Sequence, residues 1–239
     1  MSLTPLKKEL RKFATKERAV VSARFFKTGK GQYGEGDIFI GVSNPDARGV
    51  AKKYRDIPLA DIETLLGSKI HEERFVALEI LVMQFEKAVK EGNVKEQKQI
   101  VDFYLAHTDR INNWDLVDTS AFSILGAYLY NKDKKILMKL AKSNLLWERR
   151  IAVVATLYFI RQGRFDETLA LALLLRNDEH DLIHKAVGWM LREVGKMDEK
   201  VLCDFLDQYA YTLPRTSIRY ALERLSARQK SSYMKQKMR

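Results

Sequence analysis

The chain has 239 residues, 46% hydrophobic and 31% charged, which excludes a disordered polymer and an ordinary membrane-embedded bundle. One cysteine, Cys203, excludes an internal disulfide framework and a cysteine-rich zinc site, and four prolines with 12 glycines speak against a loop-rich β-sandwich. The formal net charge of +11 favours an anionic partner, nucleic acid first, although ribosome association or a generic basic surface fits the same value.

In chain order the elements read as helix after helix. Pro5 sits at the first position of an opening helix whose apolar face is Leu6, Leu10 and Phe13. Val20–Phe26 extends an apolar face. Residues 28–37 (TGKGQYGEGD) then break the pattern with four glycines. Asn44 is the expected cap of the next helix, with Pro45 at its first position. Pro58 with Asp61, then Gly67 with Ser68, mark two further boundaries.

Charge gathers at the two ends. Residues 1–30 hold nine Lys/Arg, Lys27 among them, against Glu9 and Glu17. Residues 214–239 hold eight, including Arg215, Arg219, Lys237 and Arg239, against Glu223. Two readings stand side by side: solvated terminal helices, or basic arms that grip a polyanion. The opening MSLTPLKKELRKF lacks the apolar run of a secretory peptide, and the best apolar stretch, Ile151–Ile160, is too short for a membrane span. The expected location is the cytoplasm.

A repeating unit emerges from residue 67 onward. His71-Glu-Glu-Arg74, Asp115-Leu-Val-Asp118, Trp147-Glu-Arg-Arg150 and Leu182-Ile-His-Lys185 align in one frame. Their fourth positions are separated by 44, 32 and 35 residues. Each unit leads to a polar turn and a second amphipathic helix, which is the grammar of a HEAT-like helical-hairpin solenoid. The expected fold is all-α: an α-solenoid of such hairpins with a concave, basic DNA-binding face. Equivalent positions of stacked repeats share a face, so Arg74, Asp118, Arg150 and Lys185 are expected to form a row. Trp114 and Trp189 each lie four residues from a member of that row, on the same helical face.

The segment Asn112–Asp118 has two readings at this level. Asn112 or Asn113 caps a helix, Asp115 favours its dipole, and Trp114 packs at a repeat junction. Capping leaves Asp118 unexplained. His180 and His184 have the i, i+4 spacing of zinc ligands, but no general base follows and no third ligand is evident, so no metal is expected. The glycine run lacks the preceding strand and the Lys-Ser/Thr of a phosphate loop.

Four stretches resemble the AlkD-type family of DNA alkylation repair enzymes, HEAT-like DNA glycosylases. They are Arg24–Arg48, Asn112–Asp118 (NNWDLVD), Leu146–Ala152 (LWERRIA) and Asp181–Lys196 (DLIHKAVGWMLREVGK). Trp-Asp-x-Val-Asp and Lys-Ala-x-Gly-Trp recur in the family's order, and the resemblance spans nearly the whole chain. It implies a single domain over 1–239, with N-terminal helices over 1–66, core repeats over 67–213 and a basic segment over 214–239. It implies excision of cationic N3- and N7-alkylpurines from duplex DNA without base flipping. Asp118 falls on the catalytic aspartate, and Trp114 and Trp189 on the active-site indoles. Arg150 falls on an arginine that holds DNA backbone; Lys185, Arg74, Arg149, Lys27, Arg215 and Arg219 are further expected DNA contacts. The implied partner is double-stranded DNA bound by a monomer, with no cofactor, metal or membrane. The branch whose excision is best established carries a second Trp where this chain has Asn113. Two other functions stay open beside the glycosylase: a non-catalytic HEAT-like DNA-binding protein, and a helical-repeat scaffold for proteins.

Overall fold

A proline in the first turn and leucines four residues apart start the chain as a helix, α1 (Thr4–Arg11), with Leu6 and Leu10 fully buried. The computed structural model describes residues 3–235; Lys237 and Arg239 lie outside them. The described chain is helical and divides into two compact units between Ser120 and Ala121. Among the described residues no strand forms, and a lone parallel bridge joins Ile38 to Ile70. No helix among them is long and apolar enough to cross a membrane.

In the first unit α1 is followed by α2 (Lys16–Phe25), α3 (Asn44–Lys53), α4 (Leu59–Leu66), α5 (His71–Lys90), α6 (Val94–Ala106) and α7 (Trp114–Ala121). Of the apolar face expected over Val20–Phe26, Phe26 packs against Phe39 and His71 while the part on α2 enters no core. No residue of α2 is buried, and Val20, Val21 and Phe25 are 54%, 64% and 62% exposed. Phe13 is exposed as well. Polar and backbone bonds seat the start of α2, and aromatic contacts of Phe25 and Phe26 seat its end. Thr15 Oγ1 accepts the Arg18 N–H, and the Gly41 carbonyl accepts both the Thr15 N–H and Arg18 Nη1. Gly41 has φ +82, and a Cβ there would sit 2.1 Å from the Thr15 carbonyl oxygen, so only glycine fits. The cap of α3 is Ser43, one residue before the expected Asn44: its hydroxyl accepts the Asp46 N–H.

Helix α5 is the centre of this unit. It packs against α3, α4 and α6, and apolar residues on every side of it are buried, as a helix enclosed by neighbours requires. The short turn over residues 91–93 reverses the chain into α6, completing a helical hairpin.

The second unit continues through a π-helical turn (Phe122–Gly126), α8 (Ala127–Leu129), α9 (Lys135–Leu140), α10 (Leu146–Ala155), α11 (Leu157–Arg161) and α12 (Asp166–Leu174). It ends with α13 (Asp181–Met197), α14 (Glu199–Tyr209), α15 (Arg215–Ala221) and α16 (Ala227–Lys235). Helix α13 is central here and packs against α10, α12, α14 and α15. Gly188 lets α15 approach closely, since a Cβ there would lie 2.5 Å from the Ser217 carbonyl oxygen and 2.6 Å from the Tyr220 Cβ. Gly188→Ala is therefore expected to destabilise this unit by about 1–3 kcal/mol, the usual cost of overpacking, read as a lower urea midpoint. An unchanged midpoint would show that α13 and α15 separate freely.

Candidate functional site

The first turn of α7 places two of the expected residues. Asn113, fully buried, accepts the Trp114 N–H on its Oδ1 at 2.8 Å, so Asn113 rather than Asn112 makes the side-chain contact at this terminus. Asp115, Leu116, Val117 and Ser120 point inward and are buried. Trp114 and Asp118, four residues apart, share the opposite, half-exposed side of the helix. Tyr104 lies beneath this helix and shares a 3.1 Å hydrogen bond with Ser120. Burial pushes its phenol up, the Ser120 bond opposes this, and the nearby Asp118 charge adds to the rise.

Trp114 is one end of an aromatic column. Its ring stacks on Phe26 at 5.0 Å and meets the edge of Phe25 at 5.6 Å. Phe26 stacks on Phe39 at 4.9 Å, and Phe39 on the His71 imidazole at 4.4 Å. One indole face is thus occupied by this protein's own aromatics.

Beneath the column lies a buried charge cluster. His71 Nδ1 is 3.0 Å from Asp37 Oδ2, and His71 Nε2 is 2.8 Å from Asp115 Oδ2. Arg74 donates to Asp37 Oδ1 at 2.6 Å and to the Ser68 carbonyl at 2.8 Å. Burial alone would lower the His71 pKa, but the Asp115 charge and the hydrogen bonds to Asp115 and Asp37 raise it to about 9. Burial would raise the Asp37 carboxyl, yet the bond to His71 and the Arg74 charge hold it below its usual value.

All four residues of the His71-Glu-Glu-Arg74 turn point inward, and His71 and Arg74 meet at Asp37. Glu72 accepts the N–H groups of Ile40, Gly41 and Val42. Glu73, buried, pairs with Lys7 at 2.8 Å and with Arg11 at 3.5 Å. Carboxylates also suit the positive end of the helix dipole. Arg74 is 3% exposed and its charge is used internally, so the expectation that it faces a phosphate is corrected.

The repeat register is corrected with it. Arg74 is the fourth residue of α5 and reaches back to the Ser68 carbonyl; Arg149 is the fourth residue of α10 and reaches back to the Ser143 carbonyl at 3.0 Å. Ser68 Oγ accepts the Ile70 N–H, and Ser143 Oγ accepts the Leu145 N–H. Arg74 therefore matches Arg149, not Arg150. Asp118, Arg150 and Lys185 are each the fifth residue of their helices and stay in register.

In the second unit Arg149 also pairs with Asp178 at 2.6 Å. Arg150 is 5% exposed and donates to the Leu182 carbonyl at 2.7 Å, tying α10 to the start of α13. Lys185 pairs with Asp181 at 2.7 Å, one turn back on α13. The Trp189 indole N–H donates to Glu193 at 3.1 Å, and the ring is half-exposed. His180 accepts the Leu182 N–H on Nδ1, an N-cap, and His184 bonds the Asp178 carbonyl, which accounts for both histidines. Lys27, Arg215 and Arg219 are exposed. Lys27 holds φ +56 in the left-handed region, where α2 ends.

Sequence reasoning missed Asp37, His71 and Asp115 as one cluster. The available signal was a run of four polar residues in the first turn of a helix, directly ahead of the apolar-rich stretch Phe75–Met83.

The family model described as DNA alkylation repair enzyme matches residues 6–225. Among solved structures the chain is similar to a predicted DNA alkylation repair enzyme from Enterococcus faecalis. That likeness has 17% identity and a TM-score of 0.68, and covers 90% of this chain and 97% of that one. It is also similar to smu.31 from Streptococcus mutans UA159, at 16% identity and a TM-score of 0.48, covering 97% and 96%. The likeness to the Enterococcus faecalis structure speaks to fold. No curated protein matches.

Proposed function

The chain belongs to the DNA alkylation repair enzyme family, and from that premise we propose that it is a DNA glycosylase that removes cationic N3- and N7-alkylpurines from duplex DNA without base flipping. The observation that carries this reading is the pairing of Trp114 and Asp118 on the half-exposed side of a helix whose other side is buried. A carboxylate and an indole face at that spacing suit a cation.

The chemistry follows from the substrate. An alkylated purine cation is already a good leaving group and needs little protonation. As the bond to deoxyribose breaks, positive charge grows on the sugar. Asp118 stabilises that oxocarbenium-like state and orients the attacking water, as carboxylates do in glycoside hydrolysis. Trp114 and Trp189 offer electron-rich faces to the cationic nucleotide, each worth about 0.5–2 kcal/mol. Lys27, Lys185, Arg215 and Arg219 hold flanking phosphates. Arg149 and Arg150 act one step back, fixing the helix starts that carry those contacts.

Release of 7-methylguanine from methylated duplex DNA tests the reading. Salt-dependent binding without release would point to a non-catalytic DNA-binding protein, and neither release nor binding to a protein scaffold. Binding is expected to weaken steeply with salt, by about 0.9 in the log–log slope per neutralised phosphate. Arg219→Ala is expected to flatten that slope by about one such unit; a slope unmoved by this change and by Arg215→Ala would remove both residues from the DNA contact.

A further inference from the structure

We propose that His71 is a positioning residue for the Trp114–Asp118 face, acting as an imidazolium clamped between Asp37 and Asp115. This rests on the reading above that the face acts on DNA.

The geometry demands two protons on one ring. Ionised carboxylates only accept hydrogen bonds, and each His71 nitrogen faces one, at 3.0 and 2.8 Å. Arg74 holds the other oxygen of Asp37, which fixes that carboxylate in the glycine-rich segment. Asp115 lies between Trp114 and Asp118 in the first turn of α7, and its other oxygen accepts the Leu116 N–H. A shift of Asp115 therefore turns the helix that carries both functional side chains.

A second path runs through the rings. His71 lies flat on Phe39 and touches Phe26, on which Trp114 stacks. The charged groups facing His71 are Asp37 from the glycine-rich segment, Asp115 from α7, and Glu72 and Arg74 from α5 itself. Ser22 of α2, Phe26 just beyond it, and Asn44 and Ala47 of α3 line a cavity of about 30 Å³ beside the ring, and none of them is charged. Burial opposes the charge on His71, and the two carboxylates outweigh it, to about pH 9. When the proton leaves, one nitrogen becomes an acceptor facing a carboxylate, and one tether opens.

Three measurements on the full chain test this. Nitrogen-15 NMR of the imidazole rings, with His71 assigned by His71→Gln, should show both nitrogens protonated at pH 7.5; one unprotonated nitrogen would overturn the proposal. In a Trp147→Phe, Trp189→Phe protein, Trp114 is the sole indole. Its red-edge emission should change as His71 deprotonates near pH 9, and the added His71→Gln change should abolish that step. Emission flat through that range would overturn the proposal as well.

Single-turnover excision at saturating protein is the third. Wild type should lose about 10- to 100-fold in rate above pH 9, the scale of a small misplacement. Asp115→Asn can donate an amide N–H to a neutral imidazole, so this variant should fold, retain excision and lack the alkaline fall. An alkaline fall that persists in Asp115→Asn would overturn the proposal. Absence of excision in every protein would defeat the glycosylase reading instead, and the NMR and emission results would still decide whether His71 positions Trp114.

Discussion

Asp118→Asn is expected to lower single-turnover release of 7-methylguanine by about 10²-fold or more, the scale observed when one electrostatic stabiliser of a charged transition state is lost. The substitution keeps the size of the side chain and removes its charge. Asp118 is half-exposed on a helix already held by buried Asp115 and Asn113, so the fold should be unaffected. DNA binding should hold or improve, because a negative charge near phosphates is gone. Trp189→Ala should cost less, roughly 2- to 30-fold, since a single cation–π contact is worth less than a full charge. It should penalise a cationic lesion more than neutral uracil. Equal rates for wild type and Asp118→Asn would make Asp118 a structural residue.

Asp37→Ala should be the most destabilising single change in the first unit, at about 3–5 kcal/mol, because removing one member of a buried charge cluster strands the others. Asp37 serves His71 and Arg74 together. The pH dependence carries a definite sign. The Asp37 carboxyl is held below its ordinary value of 3.8, so its contribution is present above that pH and is lost as pH falls through the lowered value. His71 is raised from 6.5 to about 9, so its contribution is complete below pH 6.5 and is lost as pH rises through about 9. Urea unfolding of wild type should show a plateau between these limbs, and both limbs should shrink in Asp37→Ala. A loss below about 1 kcal/mol, or limbs that survive the change, would show that the cluster is not what holds the unit.

The helical class is legible in the amino-acid order alone, because the signals involved are local. Pro5 in a first turn, Pro58 ahead of α4 and Gly67 behind it act on the backbone of their own residues, and all three mark boundaries in the structure. Leu6 and Leu10 at i, i+4 describe a face within one helix, and that face is buried. The place of Trp114 and Asp118 on one side of α7 also follows from helical spacing alone.

Which faces and charges acquire partners depends on how the helices pack. Val20 and Val21 form an apolar patch on α2 that stays largely exposed, and Phe25 beside them meets only the edge of Trp114, because periodicity reports that a side is apolar and not that another element reaches it. Arg74 aligns with Arg149, one residue ahead of the Arg150 that the sequence frame pairs with it. What aligns Arg74 with Arg149 is a pair of hydrogen bonds to Ser68 and Ser143, which residue type alone does not distinguish in a row of Glu and Arg. The His71 cluster joins Arg74 of the same helical turn to Asp37 and Asp115 from two distant segments. A buried charge is stable only when such partners converge, and convergence over 34 and 44 residues of chain is a property of packing that no local pattern encodes.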